Sequence, residues 1–326
     1  MKRSDVLPRL GAAVGAAALA TLVVGCATGT GAVGKSPVIR PETPVAETPE
    51  PEREFELPSP IGPLEPPGQV AEPVPGGEVD WSGRAVRARG TGVVDPSMSN
   101  EEQARLMAER AAAIVAQNNL LEIVMVLRVD SDTRVKNLMT EHDMVYTRVD
   151  GVVKGARQLG EANYDRAAGT VEVELEVDLY GSGGVTGALQ PVLGDVLTTG
   201  SLTAEVKRFL QQYSSLVFDA GALGLKPALF PRIYDEDGGL LLETRRYALH
   251  TGHPSVAPVQ FISDIDRLLE HPGLRGAPLV VKVREVKGQQ GTDIVIGRRD
   301  AERLRWLKDG FRFLLGTGRL LFKVQV

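Results

Sequence analysis

The chain has 326 residues, one cysteine, four histidines, 21 prolines, 5% aromatic residues and a formal net charge of −5. Its length allows about two domains of roughly 100–200 residues. One cysteine excludes an internal disulfide framework and any cysteine-based structural zinc site, and a pI near 5.6 argues against a dedicated nucleic-acid binder.

The N-terminus reads as an address. Lys2, Arg3 and Arg9 form a basic segment, and Leu10 to Val24 is apolar apart from glycine and one threonine. At 15 residues this run is short for a membrane span, which needs about 20, and it fits the core of a secretory signal. The run closes on Leu22, Val23, Val24, Gly25 and Cys26. Small residues placed just before a cysteine resemble a bacterial lipobox. That resemblance implies cleavage before Cys26, a thioether-linked lipid on its sulfur and acylation of its new amine. Several acyl chains hold a protein stably at a membrane, since each buried CH₂ contributes about 0.8 kcal/mol. Ala27 and Thr28 follow, with no aspartate, a pattern that in such lipoproteins implies the outer membrane.

Gly29 to Ser36 matches the phosphate-binding pattern G-x-x-x-x-G-K-S letter for letter. The chemistry needs a preceding buried strand and a following helix whose N-terminal amides cradle phosphate. Here the segment follows a signal, and Pro37 and Pro41 obstruct a helix. No nucleotide partner is expected. Residues 35–79 then hold 12 prolines and nine glutamates. Such a composition favours extended, solvated chain, so residues 26–79 are expected to be a disordered tether.

A first α+β domain is expected over 80–181. Trp81 to Val94 reads as a strand ended by Asp95 and Pro96. Ser99 to Glu102 has capping-box spacing, opening a helix to about Leu127. Ala104, Met107, Ala108, Ala111, Ile114, Val115 and Leu121 recur at three and four residues and are expected to face the core. A second helix is expected over Val135 to Val149, then strands over Gly151–Ala162 and Thr170–Leu179. Asp165 to Gly169 would supply the intervening turn. In the last strand Val171, Val173, Leu175, Val177 and Leu179 alternate with Glu172, Glu174, Glu176 and Asp178, so one face is buried. The acidic row has three readings: pairing with Arg87, Arg89, Lys154 or Arg157, contact with a basic subunit edge, or a cation site.

Gln103 to Ala112, Asn119 to Glu122, Arg148 to Arg157 and Thr170 to Glu174 together resemble the LPP-20 lipoprotein domain. That domain is similar to those of the FlgP-type flagellar outer-membrane lipoprotein and the N-terminal part of FlgT. The resemblance covers about 100 residues, near 81–180. It implies a compact strand, long helix and returning strands, and non-enzymatic work in which subunits pack at the outer membrane. It carries no catalytic residues. The long tether and the extra C-terminal residues depart from the short flagellar members.

Residues 182–194 are expected to link to a second α+β domain over 195–326. Expected there are a helix over Thr203–Tyr213, strands over Leu216–Asp219, Leu229–Tyr234 and Leu240–Glu243, and a helix over Phe261–Leu269. A hairpin of Leu279–Val286 with Thr292–Ile296, a helix capped by Asp300 and a strand over Arg319–Val326 complete it. Asp235 to Gly238 reads as a turn, because a calcium loop needs further ligands. His250 and His253 lack a third metal ligand, and no familiar nucleophile or zinc-protease motif occurs.

No catalytic, cofactor or metal site is therefore expected, and Cys26 is the one site residue. The expectation is a lipid-anchored envelope scaffold. Its partners would be a membrane, further copies of itself, and envelope or flagellar proteins. The alternative is a module that binds peptidoglycan, polysaccharide or a partner protein.

Overall fold

In the computed structural model, residues 55, 57–63, 69–194, 202–250, 256–274, 276–307 and 310–325 are described. Strands β1 (Ala71–Val74) and β2 (Gly77–Asp80) form a hairpin whose turn places Gly76 at φ +82°. All of it but Asp80 lies inside the segment 26–79 expected to be tether. Pro73 is compatible with pairing because β1 is an edge strand, which needs no donor on its outer side.

Strand β3 (Ala85–Val93) leads to α1 (Glu101–Val126), capped by Asn100, whose side chain accepts from the Gln103 amide at 3.1 Å. The cap is one residue beyond the expected Ser99. The expected single helix near 135–149 is two: α2 (Val135–Glu141) and α3 (Asp143–Lys154). Val145, Val149 and Val153 extend the buried stripe of α3 into the segment read as a strand from Gly151. Short strands β4 (Arg157–Gln158) and β5 (Asn163–Asp165) follow, then β6 (Thr170–Asp178). The first sheet is antiparallel, in the order β1-β2-β3-β6-β4, with β5 also on β6.

α1 crosses one face of this sheet at very close range. A Cβ at Gly90 would overlap the Ala112 carbonyl and the Ala116 nitrogen, and one at Gly92 the Ala108 carbonyl. The facing helix residues are Ala104, Ala108, Ala112 and Ala116, all buried. Glycine on the strand and alanine on the helix bring the two backbones together. This corrects the expected inner face: Met107, Ala111, Ile114 and Val115 point outward instead.

The expected linker 182–194 is structured. It contains α4 (Val185–Leu189) and a 3-10 turn at Gln190–Val192, with Val185, Ala188, Leu189 and Leu193 buried. Its glycines permit close packing: a Cβ at Gly184 would meet the carbonyls of Asp178 and Tyr180.

The second region begins with α5 (Ala204–Gln212) and β7 (Leu216–Asp219). Next come β8 (Arg232–Asp235), β9 (Leu240–Glu243), β10 (Gln260–Ile262) and α6 (Ile265–Glu270). The chain ends with β11 (Leu279–Lys287), β12 (Asp293–Ile296), α7 (Arg298–Arg305), α8 (Phe311–Gly316) and β13 (Leu320–Lys323). The sheet order is β10-β13-β7-β11-β12-β8-β9, with β10, β13, β7 and β11 parallel. β7 is buried along its whole length, as a parallel strand covered on both faces should be. Gln260, Phe261 and Ile262 form a strand where a helix was expected to begin, and α6 starts only after Asp264 caps it.

The fold is α+β with two sheets. Residues Glu54–Val326 make one compact unit, and one buried hydrophobic cluster draws on both sheets.

Candidate functional site

The first feature is the strap by which the N-terminal segment joins the folded body. Ile61 is buried among Val217, Ile262, Leu268, Leu274 and Leu321. Its amide donates to the Thr317 carbonyl at 2.9 Å. Arg319 donates to the carbonyls of Ser59, Gly273 and Ser214. Arg84 donates to those of Ile61 (3.1 Å) and Gly62 (2.6 Å). Both arginines are more than nine-tenths buried. Burial pulls the Arg84 guanidinium down to about 10, against the opposing influence of Tyr180, so it keeps its charge at neutral pH. Burial also lowers Arg319. Arg84 sits at φ +64°, a left-handed conformation that side chains other than glycine rarely adopt.

The second feature is the seam between the sheets. Trp81 meets Phe261 edge to face with centroids 5.7 Å apart, and Phe261 stacks on Phe322, which meets Phe218 at 5.4 Å. Beside them the Ser82 hydroxyl donates to the Phe261 carbonyl and accepts from the Val70 amide. Arg128 lies 5.9 Å over the Trp81 ring, pairs with Glu72, and donates to the Pro227 carbonyl. Burial pushes the Glu72 carboxyl up, but Arg128 outweighs it and holds the group below its ordinary range. Further along, Arg232 bridges Asp293 at 2.8 Å and Asp132, so a loop of the first region is tied to β12.

At the carboxyl ends of the parallel strands, Asp219 receives Lys282, Lys323 and the Gly221 amide. Burial raises its carboxyl, and these three partners bring it below the usual range. Its charge is balanced by fixed partners, which makes this a structural cluster. Among the described residues no group of three or more His, Cys, Asp or Glu could hold a metal.

The third feature is the outer face of α1. Leu106, Arg110, Ile114, Asn118, Glu122 and Val126 recur at every fourth position and are all exposed. Leu106 is 60% and Ile114 53% accessible. Apolar and charged side chains thus share this exposed face.

Cys26, the segment Gly29–Ser36 and His253 lie outside the described residues, as does the side chain of His250. The middle of the acidic row is neutralised within the chain: Arg89 pairs with Glu174 at 3.1 Å, and Arg87 and Arg157 both reach Glu176, while Glu172 and Asp178 have no ion pair among the described residues. Lys154 pairs with Asp150 instead. Asp235 to Gly238 is the β8–β9 turn, where Asp235 accepts from the Gly239 amide and pairs with Arg305 at 2.8 Å. The strap arginines had no sequence signal, because their acceptors are carbonyls distant in the chain.

Residues 215–321 match the family model described as Treponema pallidum Tp0624, second domain. The match takes in the second sheet from β7 to within β13. No curated protein matches the chain.

Proposed function

We propose that this chain is a lipid-anchored, non-enzymatic scaffold of the cell envelope, held at the outer membrane through Cys26 and assembled by self-association. The observation that carries the reading is the order of basic segment, 15-residue apolar run and small residues before Cys26. The resemblance of residues 81–180 to the LPP-20 domain supports it. The strap supports it mechanically. A tethered scaffold must pass load from its anchor into its folded part, and Ile61, Arg84 and Arg319 fix the incoming chain at its entry point. Cys26 and Ile61 stand 35 residues apart, so even a fully extended chain spans at most about 120 Å between them.

Two measurements test this. Palmitate labelling of cells making the wild-type chain should mark it, and Cys26→Ala should abolish the label; unchanged labelling would remove the anchor. Negative-stain imaging of the purified chain should show discrete multimers. A strict monomer that sediments with cell wall would replace scaffolding with envelope binding.

A further inference from the structure

We infer that α1 is the contact between two copies of this chain, crossing its own copy in antiparallel fashion about a two-fold axis between Ile114 and Asn118. This rests on the self-association in the reading above and not on the lipid anchor.

The inner face of α1 is fully used: its alanines lie on Gly90 and Gly92. The outer face carries the row Leu106, Arg110, Ile114, Asn118, Glu122 and Val126, exposed throughout. A row of every fourth residue forms a ridge inclined about 26° to the helix axis. Two such ridges interlock when helices cross at about −50°, a common packing in globular proteins. Met107 and Val115 flank the row with further exposed apolar surface, and Ala111 leaves room for close approach.

The order of side chains fixes the occupant. Read from either end, the row meets an apolar residue, then a charge, then the centre. The charge is positive at Arg110 and negative at Glu122, 12 residues or about 18 Å apart. Neither has an ion-pair partner among the described residues, although other exposed arginines, such as Arg89 and Arg157, are paired. A two-fold axis between Ile114 and Asn118 brings each Arg110 level with the second copy's acidic position. Leu106 then meets the apolar end of the other row, and Ile114 meets the amide position. The contact is self-complementary, as a two-fold interface must be. Two symmetric ion pairs bracket a centre of Ile114 and Asn118, so opposite charges set the register and a parallel pairing is disfavoured.

The test is sedimentation equilibrium on the full chain carrying Cys26→Ser, so that lipid cannot mimic association. The unsubstituted row should give a dimer. Arg110→Glu and Glu122→Arg should each raise the dimer dissociation constant about tenfold or more, since each places like charges together twice. The double variant should return it to near the starting value. Circular dichroism of each variant should match the parent, because both residues are exposed and touch no core. A monomeric parent would overturn the inference. So would single variants that associate like the parent, or a double variant as weak as the singles. If the parent associates and the variants do not alter it, α1 is not the contact while the scaffold reading survives.

Discussion

Arg84 and Arg319 grip one short segment: Arg84 donates to the carbonyls of Ile61 and Gly62, and Arg319 to that of Ser59. One arginine precedes β3 and the other precedes β13, so the strap ties the two sheets together as well as to the incoming chain. Two of the carbonyls the arginines bond, those of Ile61 and Ser214, belong to buried residues.

Arg319→Leu should therefore destabilise the fold by about 2–5 kcal/mol. It removes three charge-assisted hydrogen bonds, each contributing about 1.5–3 kcal/mol at most, and leaves the buried Ser214 carbonyl without that donor. Urea denaturation measures the loss. Limited proteolysis should at the same time cut faster near residues 57–63. A variant that melts like the wild type, with an unchanged cleavage pattern, would show that the strap does not depend on this side chain.

The aromatic seam makes a second prediction. Trp81, Phe261, Phe322 and Phe218 run from the first sheet into the centre of the second. With one shared buried cluster, the two sheets should unfold in a single transition. Phe261→Ala should cost about 3–5 kcal/mol. It should also split the calorimetric melt into two steps as the halves decouple. A wild-type melt already in two steps would mean that the seam does not couple the sheets.

Acid should weaken the fold through Asp219. The carboxyl is held below its ordinary value in the folded state by Lys282, Gly221 and Lys323, against burial. A depressed carboxyl pKa contributes stability that is complete above the unfolded value of about 4 and is lost as pH falls through the folded value. Glu72 acts in the same direction through Arg128. Denaturant midpoints measured from pH 7 to pH 3 should fall below about pH 4–5. Asp219→Asn should be less stable at pH 7 and show a shallower acid slope. An unchanged slope would remove Asp219 from the acid response.

Much of this architecture was legible in the sequence, for identifiable reasons. In β6, valine and leucine alternate with glutamate over nine residues, and only a half-buried strand satisfies that pattern. β7 and β9 fall where their short apolar runs end in Asp219 and Glu243. The β1–β2 hairpin was hidden because Pro73 and Pro75 dominate its composition, and an edge position makes the first of them harmless. α4 was hidden behind four residues of glycine and serine. The pairing of Arg84 with Arg319 was invisible in principle, since 235 residues separate them and carbonyl acceptors carry no side-chain signature. The inner face of α1 was misread for a subtler reason. Hydrophobic periodicity ranks methionine and isoleucine above alanine, whereas close approach to a sheet selects the smallest side chain.

That selection gives the last prediction. The carbonyls of Ala108 and Ala112 occupy the space where side chains on Gly92 and Gly90 would stand. The neighbours in the way are backbone atoms of a 26-residue helix, which cannot swing aside as a flexible side chain can. Adding a methyl group at Gly90 must lift the helix from the sheet or bend the strand. Overpacking of this kind costs about 1–3 kcal/mol where side chains can yield, and backbone contact puts Gly90→Ala at or above the upper end. The loss should appear as a lowered thermal midpoint. Gly151→Ala serves as the comparison, because its added Cβ meets nothing within 4 Å and the position lies inside α3. There alanine should hold or raise the midpoint, since it favours helix over glycine by about 0.8–1.0 kcal/mol. If Gly90→Ala melted with Gly151→Ala at or above the wild type, close approach would not be what requires glycine in β3.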